Sequence, residues 1–477
     1  MSRTLYAAAC VLLVSTLWVD HMAVSKATAP RAEAPPSAAE RAMARDIFAH
    51  IVGIESSVGK GNVPAVAEYL AKRFIEGGFP TADVHVLRLK ETASLVVRYR
   101  GNGSGGRPID LIAHLDVVTA NRSDWERDPY RLTEENGYFF GRGTSDVKQE
   151  VALLTTTFLT LKAQGYVPKR DLIIAFSGDE ETAQATAQDL VTAHRDLVDA
   201  EFALNGDGGG GVLAEDSGKP QIFYVQGAEK SSVKFVLTTH NAGGHSSMPR
   251  ADNAIYELAD ALESLKQLQF PVQWNEWTLG DFKAAGAVTP GALGAAMTQF
   301  ARDPHDAAAA AEISKNPAFV GRLRTTCVAT MLSGGHAENA LPQTATATVN
   351  CRIFPGMPAA EVLKTLQQAV GSKAEVTQGY EALLSDASPL RKDVMAAVSR
   401  AVDAADPGAR VVPTQASYAT DGAVYRNAGI PTYGVGGVFM KDSEQFAHGL
   451  NERIRVDAFY AALTYWRVLI ESLAGAP

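Results

Sequence analysis

Short apolar runs recur through the first half of the chain, and they constrain its fold more than any other feature. DVHVLRL, SLVVRYR, IDLIA, DLIIAF and EFALN follow one another, with a long helical segment from about Gln149 to Gln164 between two of them. Near-continuous apolar runs of this length fit strands buried on both faces. Upstream, Met43, Ile47 and Ile51, then Val63, Val66, Tyr69, Leu70 and Phe74, recur at helical spacing from about Glu40 to Phe79. Strands alternating with helices predict an α/β layer, a largely parallel sheet with helices on both faces.

The rhythm changes after Gly227. A period-2 strand over Val233 to Thr239 is followed by a helix from about Asn253 to Leu268 and an irregular stretch. Two strand-like runs, TTCVATML and TATATVNCRIF, and a helix from Ala359 to Val370 complete the segment. This predicts a smaller α+β domain at 228–379, inserted into a discontinuous α/β domain formed by 40–227 and 380–477. The second part carries a helix from Val394 to Asp403, the strand IPTYGV and a closing helix from Val456 to Leu473.

At the N-terminus Arg3 precedes LYAAACVLLVSTLWV, which has the length of a signal-peptide core and is short for a membrane span. Residues 1–25 read as a signal peptide cut after Ser25, and 26–39, rich in Ala and Pro, as a loose leader. An uncleaved anchor is the alternative. Export to the periplasm or the medium follows from the first reading, with no membrane contact after cleavage. The net charge of −9 without a Lys/Arg block argues against nucleic acid or an anionic membrane as partner. Cys10 leaves with the signal peptide, so the mature chain keeps Cys327 and Cys351. A hairpin centred near Asn339 sets these two opposite each other, as a disulfide or as two reduced thiols.

Chemistry collects at strand ends. IDLIA runs into His114-Leu115-Asp116, LIIAF into Asp179-Glu180-Glu181, and EFALN into Gly206-Asp207. Ligands of open α/β sheets bind beyond the carboxyl ends of the strands. Three acids in a row there repel one another unless a cation holds them. In extended chain i and i+2 share a side, so Asp116 can fix the tautomer of a metal-binding His114; otherwise the pair is a surface histidine beside an unrelated acid. Asp146 precedes the long helix, where it is either an N-cap or a carboxylate bridging two metals. Glu180 and Glu181 are a solvated helix start, or divide into a ligand and a general base. GDGGGG matches a dinucleotide fingerprint in form, but no helix follows it to face a phosphate. His245 and His448, taken alone, fit turn or structural roles.

Together HLDVV, GRGTSDVK, SGDEE, GGHSSMP, NALP, NCRIFPG and HGLNER resemble the di-zinc metallopeptidase family of aminoacylase, carnosinase, glutamate carboxypeptidase and succinyl-diaminopimelate desuccinylase. WERDPYRL and the long insert at 275–325 are most similar to the secreted or vacuolar carboxypeptidases and N-acyl amino acid hydrolases. The resemblance implies one metal held by His114, Asp146 and Asp207 and a second by Asp146, Glu181 and His448. It implies Asp116 as the residue orienting His114, Glu180 as general base, and His245 reaching the scissile carbonyl from a lid, in many relatives from the partner subunit of a dimer. Asn339 and Arg352 resemble positions that grip the substrate's carboxylate. The cofactors implied are two zinc ions, with cobalt or manganese acceptable. The function implied is hydrolysis of a peptide or N-acyl amino acid beside a free carboxylate, and the inserted domain would serve as lid and homodimer contact. A binding domain without catalysis is the other class this fold allows. The chain departs from the family pattern in Val147-Lys148-Gln149 after the bridging acid, and in Asn205-Gly206-Asp207 where relatives carry Asn-Glu-Gly.

Overall fold

A computed structural model describes residues 34–379 and 383–475. The proposed signal peptide, the leader up to residue 33 and Tyr380 lie outside the described residues. The apolar runs form one ten-stranded sheet, and its middle is parallel. Ile109–His114 pairs parallel with Leu172–Ser177 on one side and with Phe202–Asn205 on the other, and Thr432–Gly434 adds parallel to the latter. Both Ile109–His114 and Leu172–Ser177 are buried at every residue, which is why their sequences show no polar alternation. The edge departs from parallel order: Val84–Leu89 and Thr92–Tyr99 make an antiparallel hairpin, and the second of these runs antiparallel to Leu172–Ser177. A two-residue link between the strands leaves no room for a crossover helix.

Helices cover both faces. Leu111, Ile174 and Leu204 pack with the helices Ala38–Val52, Lys148–Ala163 and Val456–Ala474, whereas Ile112, Ile173 and Ala203 point into a second core with Leu190, Val424 and Tyr425. Lys148–Ala163 is buried on all sides from Lys148 to Leu161, between the sheet and the two other helices. Its N-cap position is Val147, so Asp146 does not serve as the cap.

A separate four-stranded sheet runs in the order Thr326–Gly334, Thr344–Ile353, Ser231–His240 and Glu375–Gln378, all antiparallel. The helices Ala254–Gln267 and Ala359–Val370 cover it, and Val233, Phe235, Leu258 and Leu366 share its core. Cys327 pairs directly with Cys351 in the register, and the two form a disulfide. The stretch at 275–325, expected to be irregular, is instead helical: Glu276–Gly286, Gly291–Arg302, Ala307–Ser314 and Pro317–Leu323 enclose Phe282, Met297, Phe300 and Ile313. Glycines hid three of these helices, since glycine is a poor helix former, while Ala307–Ser314 has none. Gly294 is there because a Cβ would come within 1.8 Å of the Thr289 carbonyl. Among the described residues no helix is long and apolar enough to cross a membrane.

Candidate metal centre

Parallel neighbours deliver their carboxyl ends to one side, so the ends of Ile109–His114, Leu172–Ser177 and Phe202–Asn205 meet there. His114 is the last residue of its strand, fully buried, and its Nδ1 donates to the backbone carbonyl of Asp116 at 3.0 Å. The Asp116 carboxylate stands farther off, at 3.5 Å. The backbone carbonyl is thus the nearer acceptor for this N–H, with the Asp116 carboxylate, expected to orient the ring, just beyond it. With Nδ1 protonated, the Nε2 lone pair is left free to face a cation. The carboxylate of Asp116 instead receives the backbone N–H groups of Glu180 and Glu181, each at 3.1 Å.

The three acids of SGDEE have separate tasks. Asp179 receives the N–H groups of Ala185 and Thr186 at 2.9 and 2.8 Å, and so starts the helix Ala185–Thr192. Glu180 and Glu181 precede that helix and do not form its first turn. Glu181 Oε1 lies 3.0 Å from His448 Nε2. Asp146 faces both histidines: Oδ1 is 3.2 Å from His114 Nε2, and Oδ2 is 3.0 Å from His448 Nε2. Asp207 Oδ2 lies 3.9 Å from His114 Nε2. Two groups of ligand atoms result, His114/Asp146/Asp207 and Asp146/Glu181/His448, each with its atoms within 4.8 Å of one another. They share Asp146.

Charge in the cluster is lopsided. Burial penalises the charged His114 imidazole, yet Asp116, Asp146 and Asp207 outweigh it and hold this histidine well above its ordinary range. Asp146 and Glu181 push His448 up to about 10. Burial, and then the charge of Asp207, pushes Glu180 up to about 10. Burial raises Asp207 as well. Carboxylates crowded this closely repel one another and mark a site that needs positive charge. Mixed imidazole and carboxylate donors, three to a group around one shared acid, fit a pair of divalent cations.

Several residues of the site escaped the sequence. Asn205 Oδ1 receives the Asp207 N–H at 2.9 Å, while its Nδ2 donates to Thr420 Oγ1 at 3.1 Å. Thr420 in turn donates to the buried Glu229, which pairs with Arg426 at 2.7 Å. Asp421 is buried beside Ser177, whose hydroxyl donates to it, and burial pushes it up to about 7. ATDG in ASYATDGAV is the signal that was available. Lys148, noted only as a departure, is buried and donates to the carbonyls of Ile51 and Ile54 at 2.7 and 2.8 Å. Glu452 and Arg142 form a buried ion pair at 2.6 Å.

Of the remaining expected residues, Arg352 sits on the four-stranded sheet, while His245 and Asn339 lie on or beside a separate two-stranded ladder. His245 is exposed on a short ladder, paired with Ala340, and Ser247 Oγ lies 2.8 Å from its Nδ1. Asn339 is exposed next to it, its carbonyl receiving the Ser246 N–H at 3.0 Å. Arg352 is half-buried, opposite Ser232 and Thr326.

A model of peptidase family M20/M25/M40 matches residues 111–472. The Homo sapiens N-fatty-acyl-amino acid synthase/hydrolase PM20D1 is 26% identical over 497 aligned positions, covering 97% of this chain and 96% of that protein. Among solved structures, an M20 family metallo-carboxypeptidase from Sulfolobus solfataricus superposes with a TM-score of 0.69 at 17% identity, covering 90% of this chain and 99% of that one. A Bacillus subtilis dinuclear metal-binding peptidase of the M20 family gives 0.60 at 13% identity, covering 92% and 100%.

Proposed function

The chain belongs to peptidase family M20/M25/M40, and from that premise we propose that it is an exported di-metal hydrolase cleaving the amide bond of a peptide or N-acyl amino acid beside a free carboxylate. The observation that carries this reading is Asp146, whose two oxygens face two different imidazoles in two ligand groups. His114, Asp146 and Asp207 would hold one cation, and Asp146, Glu181 and His448 the other, with zinc the metal proposed and cobalt or manganese accepted. When bound, such a pair lowers the pKa of a water and polarises a carbonyl oxygen.

Glu180 is the acid left over from both groups, held in place by the Asp116 carboxylate on its N–H. It takes the proton of the attacking water as oxygen adds to the amide carbon, and returns it to nitrogen as the C–N bond breaks. Cations beside it also reverse the sign of its surroundings, bringing its pKa down from the raised value toward that of a working base. Arg352 and Asn339 grip the substrate's carboxylate, for which a guanidinium fork is suited. His245 donates to the oxyanion from a lid formed by the four-stranded sheet together with the two-stranded ladder that carries His245. A second copy of the chain fits as its source, because Thr326–Gly334 is an edge strand that exposes Val328, Met331 and Leu332.

Similarity to PM20D1 makes N-acyl amino acids with apolar acyl groups the first substrates to try. Export rests on the N-terminal apolar run, and the Cys327–Cys351 disulfide accords with an oxidising compartment. The test is a panel of N-acyl amino acids and dipeptides, each with its carboxamide counterpart. Free acids should turn over at least about 100-fold faster, since an unpaired guanidinium is left by the amides. Equal rates on acids and amides would remove the carboxylate from the proposal.

A further inference from the structure

The loop carrying the shared Asp146 and the loop carrying His448 are joined by one buried pair that the catalytic scheme does not use. Glu452 is completely buried and Arg142 nearly so. Oε1 of Glu452 receives the backbone N–H of Ser145 at 2.7 Å and that of Asp146 at 3.1 Å. Oε2 receives the N–H of Gly143 at 3.2 Å and Nη1 of Arg142 at 2.6 Å. Arg142 then extends Nη2 to the carbonyls of His448 and Gly449 at 3.3 and 3.2 Å. Its guanidinium lies over the Trp125 ring, 5.1 Å from the centroid.

His448 needs such support. Its φ is +63°, in the left-handed region that a residue with a Cβ enters at a cost of about 1–3 kcal/mol. Asn451, one residue before Glu452, has a φ of +53°. His448 is also 53% exposed, so packing holds the imidazole only in part. Its backbone is held by the guanidinium of Arg142, and that guanidinium is held by the carboxylate that also sets the Asp146 backbone. The other position shares Asp146, but the backbone of its two remaining ligands is set elsewhere: His114 meets the Asp116 carbonyl, and Asp207 is held through Asn205 and Thr420.

We propose that Glu452 and Arg142 are positioning residues that fix the span between the Asp146 carboxylate and the His448 imidazole, and so set divalent-cation affinity chiefly at the Asp146/Glu181/His448 position, where they hold the loops of two ligands rather than one. This rests on the di-metal reading above. Its chemistry is ordinary for a group behind a ligand, where loss of the partner typically costs about 10–100-fold in metal affinity.

The test titrates Zn2+ into chelator-stripped full-length protein by calorimetry, for wild type, Glu452→Gln and the double variant Arg142→Met/Glu452→Gln. The double variant leaves no lone buried charge and so guards against simple failure to fold. Wild type should bind two cations. The variants should bind one about 10–100-fold more weakly and the other with a clearly smaller loss, while the melting temperature of the stripped double variant stays near that of stripped wild type. Two cations at wild-type affinity in both variants would overturn the proposal and leave the di-metal reading intact. So would equal weakening of both positions, or failure of both variants to fold, since the pair would then serve the fold at large. A wild type that binds no Zn2+ would overturn both readings.

Discussion

Replacing Asp116 with Asn separates the two jobs this residue has. The side chains are nearly the same size, but both oxygens of Asp116 are engaged, each by a backbone N–H at 3.1 Å, one from Glu180 and one from Glu181. An amide offers a single acceptor, so its NH2 must face one of these donors. One charge-assisted hydrogen bond is lost and one half-buried N–H is left unpaired, at a cost of about 1–3 kcal/mol. The contact of His114 with the Asp116 backbone carbonyl survives, because it does not involve the side chain. The cost therefore falls on the placement of Glu180 and Glu181. If it is expressed in the transition state, kcat should drop about 10–100-fold with a much smaller change in KM. Steady-state kinetics with metal content measured on the same samples checks this. A wild-type kcat would refute the reasoning, and so would a loss of activity explained wholly by loss of the cation beside His114.

Other consequences follow from the same geometry. Glu180 and His448 are held at about 10 and Asp421 at about 7 in the cation-free chain. A raised folded pKa gives stability that is complete below the unfolded values, about 4 for the carboxyls and 6.5 for histidine, and that is lost as pH climbs through the folded ones. Chelated protein should therefore melt at falling temperatures from about pH 5 to about 9, and cation-loaded protein much less so, since bound cations reverse the cause. A flat melting profile for chelated protein in differential scanning fluorimetry would contradict the charge balance described. Gly227→Ala brings a Cβ to within 1.8 Å of the buried Trp277 ring, whose Nε1 donates to the Ser388 carbonyl at 2.8 Å. Overpacking of this kind should cost about 1–3 kcal/mol in denaturant melts, and an unchanged midpoint would mean that Trp277 is free to move.

The sheet was legible because its central strands are buried on both faces, and such strands write themselves as unbroken apolar runs. That also made the site legible: once the strands are parallel, HLD, SGDEE and the Asp207 loop must share one end. The register of the Cys327–Cys351 hairpin could be read from the spacing about Asn339. What stayed hidden has local causes. The antiparallel edge hairpin looks like the parallel strands because periodicity reports burial and not direction. The helices at 275–325 lean on capping by Asn275, Asp306 and Asn316, and the glycines scattered through three of them mask their helical pattern. Asp116, Asp421 and Glu452 act through backbone N–H groups or buried hydroxyls, and a sequence names side chains without saying which backbone groups will face them.

Metal content and turnover of purified wild type and Glu180→Ala, by mass spectrometry and on the substrate panel, test the central claim most directly. Two divalent cations per chain in both proteins, with turnover lost only in the variant, is the expected result, because Glu180 belongs to neither ligand group. A wild type without metal, or a Glu180→Ala protein that hydrolyses its substrate at the wild-type rate, would contradict it.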